Sequence, residues 1–95
     1  MEKELIHLEK GNVTGYHIDL GNAPLLLIQA TKGFVMCGYL NMETANKLGD
    51  VAGKITGVNT FKDALEAKII ELSQKAKQAG FTEGMPARTF LNELL

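Results

Sequence analysis

Cysteine is nearly absent from this sequence. Cys37 stands alone in 95 residues, which excludes an intrachain disulfide framework and fits a reducing compartment. There is no tryptophan, proline occurs twice, and Arg88 is the one arginine beside nine lysines. The two histidines, His7 and His17, lack the close spacing with Cys37 that a structural metal site needs, so no metal is expected. No run of one charge sign exists. With a formal net charge of −1 and scattered lysines, neither nucleic acid nor an anionic membrane is expected as a partner. The apolar run 24–28 is far too short to span a bilayer, and the charged start Met1-Glu2-Lys3-Glu4 leads into no apolar signal region. A soluble, cytoplasmic protein is expected. Internal repeats, low-complexity segments and cofactor motifs are also missing, and no cofactor is expected.

The remainder is ordinary globular sequence, with 45% hydrophobic and 22% charged residues. The length fits one domain over 1–95 with a modest core. Residues 4–9 alternate weakly, with Ile6 and Leu8 on one face. Lys10-Gly11-Asn12 marks a turn into a strand at 13–20, whose Tyr16, Ile18 and Leu20 are expected to face inward. Residues 25–30 are nearly all apolar, as in a strand covered on both faces. A short strand at 34–37 follows Thr31-Lys32-Gly33.

The pattern changes at Gly38. Asn41 is placed to cap a helix over 42–48, with Met42, Ala45 and Leu48 on its buried side and Gly49 as its stop. Residues 51–58 read as a fifth strand. Phe61, Leu65, Ile69, Leu72, Ala76 and Ala79 recur at steps of three and four and predict one long helix over 61–79. Thr60 and Asp63 resemble a capping box at its start, and Gly80 closes it. A final helix after Met85-Pro86 carries Phe90, Leu91, Leu94 and Leu95 on its apolar stripe. These elements predict a two-layer α+β fold, with about five mostly antiparallel strands and two to three helices packed on one face. The fourth strand, the short helix and the fifth strand form a crossover. If those strands are parallel, the turn after Gly38 and the loop after Gly57 share one edge of the sheet.

Three stretches resemble a known family when taken together. They are Gly33-Phe34-Val35-Met36-Cys37-Gly38, then 52–60 with Leu65-Glu66-Ala67 behind it, then Gly84-Met85-Pro86-Ala87-Arg88. In this order and at these separations they resemble the small YunC-like family of bacterial and archaeal proteins, a domain of unknown function. The resemblance covers roughly residues 24–95. It implies a compact α/β domain without an assigned activity and carries over no catalytic residue. The family pattern often has arginine where this chain has Lys54, and lysine keeps the charge but not a bidentate fork.

The candidate site follows from the glycine loop. Gly53 and Gly57 would let a ligand approach the backbone, Lys54 adds charge, and Asn59 and Thr60 add polar groups before the helix. The spacing lacks the phosphate-loop ending, so nucleotide binding is not indicated. The structural alternative is that Thr60 only caps and the glycines permit close packing. Cys37, Gly38 and Asn41 would complete one wall if the crossover forms. Arg88 opposes the helix dipole at its position, which points to an anionic partner or to a plain salt bridge. Three functions compete on this basis. The first is a homo-oligomeric binding module for a small polar or anionic ligand. The second is a structural or protein-interaction subunit without ligand, whose apolar final helix packs on a copy of itself or on another protein. The third is an enzyme using the Cys37 thiol with Lys54 or Arg88.

Overall fold

The computed structural model describes residues 1–95. Strands β1 (Glu2–His7), β2 (Asn12–Asp19), β3 (Pro24–Gln29) and β4 (Phe34–Met36) form an antiparallel meander. Helix α1 (Met42–Leu48) then crosses to β5 (Ala52–Lys54), which lies parallel to β4 with Phe34 opposite Ala52 and Met36 opposite Lys54. Helix α2 (Phe61–Glu66), strand β6 (Glu71–Leu72), α3 (Gln74–Gln78) and α4 (Ala87–Glu93) complete the chain. The sheet order is β1-β2-β3-β4-β5-β6, so the α+β class holds with six strands. None of the helices is long and apolar enough to cross a membrane.

Packing assigns the two faces. Ile6, Val13, Ile28, Val35 and Ile69 point to one side and form the main core with residues of α2, α3 and α4. Met36 and Ala52 point to the other side and are covered there by Met42 and Ala45 of α1. Three helices therefore share one face, as expected, and α1 adds a partial layer to the other. Its caps are those the sequence predicts. Asn41 Oδ1 accepts from the Glu43 and Thr44 N–H groups, and Gly49 ends the helix in the left-handed region at φ 76°.

The long helix predicted over 61–79 does not form. It is interrupted at residues 67–73, where the backbone bonds on both sides. The Ile70 and Ser73 N–H groups donate to Lys54 and Ala52 carbonyls of β5, while Ile69 N–H donates to Met85 and Ala87 N–H to Ala67. The adjacent β-branched pair Ile69-Ile70 favours this extended course. Ser73, fully buried, begins α3: its Oγ accepts from Ala76 and Ala52 N–H groups and donates to the Asp50 carbonyl. A buried hydroxyl with three partners fixes the break more firmly than helical periodicity opposes it. Consequently Glu71 pairs with Lys54 at 3.6 Å instead of lying along a helix with Lys75.

Other expectations fail for identifiable reasons. The facing of β2 is inverted: Val13 and Gly15 lie on the core side, and Leu20 is exposed. The cause is Gly15, where a Cβ would stand 2.6 Å from the Phe61 ring; the aromatic occupies the space a side chain would need. Leu48 is 72% exposed and not on the buried side of α1, because its position turns it away from Met42 and Ala45. Strand β5 spans three residues and not 51–58: it ends at Lys54, and Gly57 beyond it is left-handed at φ 71°. The apolar stripe of α4 is not available to a partner. Phe90 and Leu91 are fully buried, and Phe81 stacks edge-on against Phe90 at 4.7 Å between ring centroids.

Candidate functional site

The parallel pair β4–β5 determines where loops converge. Both strands end at the same edge, and each runs directly into a turn. After β4, Leu40 N–H donates to the Cys37 carbonyl at 3.2 Å and closes a tight turn through Gly38 and Tyr39. After β5, Ile55 N–H donates to Met36, and the chain then leaves the sheet through Thr56 and Gly57. The two turns face each other across a cleft of about 330 Å³. Ala23 and Pro24, at the start of β3, supply its third side, with Val58 and Asn59 at the rim. The carboxyl ends of parallel strands are where ligands collect in crossover folds.

No ionised side chain lines this cleft. Its polar groups are the Tyr39 and Thr56 hydroxyls, the Asn59 amide and main-chain atoms. The N–H groups of Gly38, Tyr39, Thr56, Gly57 and Val58 donate to no backbone carbonyl. Five main-chain donors therefore belong to the two facing turns. Neither glycine is crowded: a Cβ at Gly38 would meet only Thr56 Cγ2 at 3.7 Å, and at Gly57 nothing within 4 Å.

Cys37 closes the inner end. The side chain is 5% exposed, and its Sγ accepts from Leu26 N–H at 3.3 Å. His17 is not its neighbour. The register sets His17 opposite Leu26, so strand β3 separates the imidazole from Cys37 by two strand spacings, about 10 Å. His17 instead meets the Phe61 ring edge-on and stands 4.0 Å from Glu2.

The remaining candidates divide among other places. Asn41 and Lys54 line an adjoining cleft of about 480 Å³, shared with Gly38 and Tyr39, where Glu71 and Glu43 also contribute. Lys54 is largely covered, and its ammonium is matched by Glu71. Gly53 belongs to the core, where a Cβ would stand 2.8 Å from Ile69 Cδ1 and 3.3 Å from Phe90 Cε2. Thr60 Oγ1 accepts from Asp63 N–H and caps α2. Arg88 lies across the molecule, 3.6 Å from Glu9. Asn92 donates to the same carboxylate at 2.6 Å, and this bond, with the Arg88 charge, holds Glu9 below the usual carboxylate range. Cys37, Lys54 and Arg88 thus occupy three separate surroundings. The unpaired main-chain donors were invisible to side-chain reasoning; the signal that could have found them is Gly38 and Gly57, each just past a strand of one crossover.

A family model described as a domain of unknown function, DUF1805, matches residues 36–94. The chain belongs to the DUF1805 family. The matched stretch takes in α1, β5 and everything after it, including both turns of the cleft. The uncharacterized protein YunC of Bacillus subtilis (strain 168) is 27% identical over 94 residues, covering 95% of this chain and 93% of its own. A crystal structure of a protein of unknown function, TA1206 of Thermoplasma acidophilum, superposes with a TM-score of 0.93 at 44% identity, over 99% of this chain and 92% of that one. The expected YunC-like relationship and the α+β fold both hold.

Proposed function

We propose that this DUF1805 protein is a binding module for a small polar molecule held between the Gly38 and Gly57 turns. One observation carries the reading: five main-chain N–H groups without a backbone acceptor belong to two facing turns at the carboxyl ends of a parallel pair. Such donors recognise oxygen acceptors, and the apolar sides formed by Ala23, Pro24 and Val58 favour a ligand with an apolar portion. A volume near 330 Å³ limits it to a small molecule.

The ligand is uncharged in this reading. The cation that would favour an anion, Lys54, is matched by Glu71 in the adjoining cleft, and Arg88 is engaged by Glu9. An enzyme built on Cys37 is disfavoured because the thiol is buried and no histidine reaches it. The test is Gly38→Val. Its first added carbon meets only Thr56 Cγ2, at ordinary contact distance, and a urea midpoint close to that of the wild type is expected while the further methyl groups narrow the cleft. Small amides and neutral carbonyl compounds, screened by amide chemical shifts, should perturb both turns of the wild type and neither turn of the variant. Equal perturbation of wild type and variant would refute the assignment.

A further inference from the structure

The outer face of β1–β3 is left without cover, and its shape is independent of the cleft reading. The register puts Lys3 beside Tyr16 and Tyr16 beside Leu27, with Ile18 beside Leu25. These residues face away from α2–α4. Helix α1 covers the same face over β4 and β5, through Met36 and Ala52, and its cluster reaches β3 at half-buried Leu27. The result is a step: strands apolar around Tyr16 and Ile18 and polar at Thr14 and Gln29 on one side, a helix about 10 Å thick on the other. The wall of the step is mixed, with Asp50 and Thr44 beside apolar side chains. Thr44 lines the groove beside Phe34 and Met36, and Leu48 follows one turn later on the same flank. The charged flank, Glu43, is turned the opposite way toward Lys54 and Glu71. Leu5 on the floor is 58% exposed, and Lys3 is the one charge on the central floor, with its ammonium 5.8 Å from the Tyr16 ring centroid.

We infer that a second copy of this chain occupies the step. A helix about 10 Å thick matches the roughly 10 Å at which two sheets pack face to face. Bare strands laid on bare strands by a two-fold axis therefore bring α1 of each copy level with the partner's sheet. There it abuts edge strand β1, whose outer backbone groups otherwise face solvent. Three strands at about 4.8 Å and six residues at about 3.3 Å give a floor of roughly 280 Å² per copy. Two such floors come to roughly 560 Å², and with one flank of α1 from each copy the total stays below about 1,000 Å², the size of a weak, transient interface. The final helix, whose apolar side chains are buried in its own fold, takes no part.

Sedimentation equilibrium across a hundredfold concentration range, up to about 1 mM, tests this for an interface of that size. The wild type is expected to pass from monomer to dimer. Leu5→Asp and Leu48→Asp, both at exposed positions, should each weaken association about tenfold or more. Ile70→Asp, at a 54% exposed position on the opposite sheet edge, should leave it unchanged. A wild type that stays monomeric throughout overturns the inference and leaves the face to a different protein. A dimer that Ile70→Asp breaks, or that both leucine variants retain, overturns it equally.

Discussion

Gly53 and Gly57 are four residues apart and look alike in the sequence, yet the structure uses them for opposite purposes. Gly53 is enclosed by Ile69 and Phe90, and its missing side chain is what lets Ile69 and α4 close on the sheet. Gly57 and its counterpart Gly38 border open space, where the missing side chains leave main-chain donors accessible. A glycine is informative only with its surroundings. In the core it marks close approach of other protein atoms; at the rim of a cleft it marks room for something else.

The contrast can be broken at its core end first. Gly53→Ala and Gly15→Ala should each lower stability by about 1–3 kcal/mol through overpacking, read as a shift in the urea midpoint. A change within experimental error would mean that the Ile69 and Phe61 side chains give way freely. Ser73→Ala is expected to cost about 1–3 kcal/mol, because the buried Ala52 N–H and Asp50 carbonyl each lose a partner. Asn41→Ala, which removes a cap at the rim, should cost about 1 kcal/mol. Gly38→Ala should stay within about 0.5 kcal/mol of wild type, since its neighbour is at ordinary contact distance.

A pH dependence separates the rim from the clasp between α4 and the β1–β2 turn. Glu9 is held below the usual carboxylate range first by the Asn92 hydrogen bond, then by a backbone hydrogen bond, with the Arg88 charge adding to both. A carboxylate with a depressed folded value stabilises the fold at pH above its unfolded value, and that contribution is lost as pH falls through the folded value. The stability difference between wild type and Glu9→Gln should therefore shrink on acidification below the ordinary carboxylate range. A difference independent of pH would show that the clasp does not depend on charge.

Much of the fold was legible. The meander, the crossover helix with its Asn41 and Gly49 caps, and the family relationship all rest on local signals: turns, caps and alternation. The periodicity over 61–79 misleads because Phe61, Leu65, Ile69, Leu72 and Ala76 satisfy it while lying in two helices, a strand and, at Ile69, the link before that strand. Their common burial in one core produces the period, and long-range pairing of Ile70 and Ser73 with β5 decides the conformation. The facing of β2 was misread for a related reason. Alternation cannot reveal that Phe61, forty-six residues away, fills the space beside Gly15. Of the candidate site residues, Cys37, Gly38, Gly57 and Asn59 meet at one cleft, because they flank the ends of two neighbouring parallel strands. Gly53, Thr60 and Arg88 serve packing, capping and an ion pair, roles their types fit equally well.

The most direct test of the cleft is to follow backbone amide resonances while titrating a small neutral amide such as acetamide and its larger homologues. Binding between the turns should shift Gly38, Tyr39, Thr56, Gly57 and Val58 together, with the response abolished by Gly38→Val. Shifts centred instead on Asn41 and Lys54, or a response unchanged in Gly38→Val, would contradict the assignment.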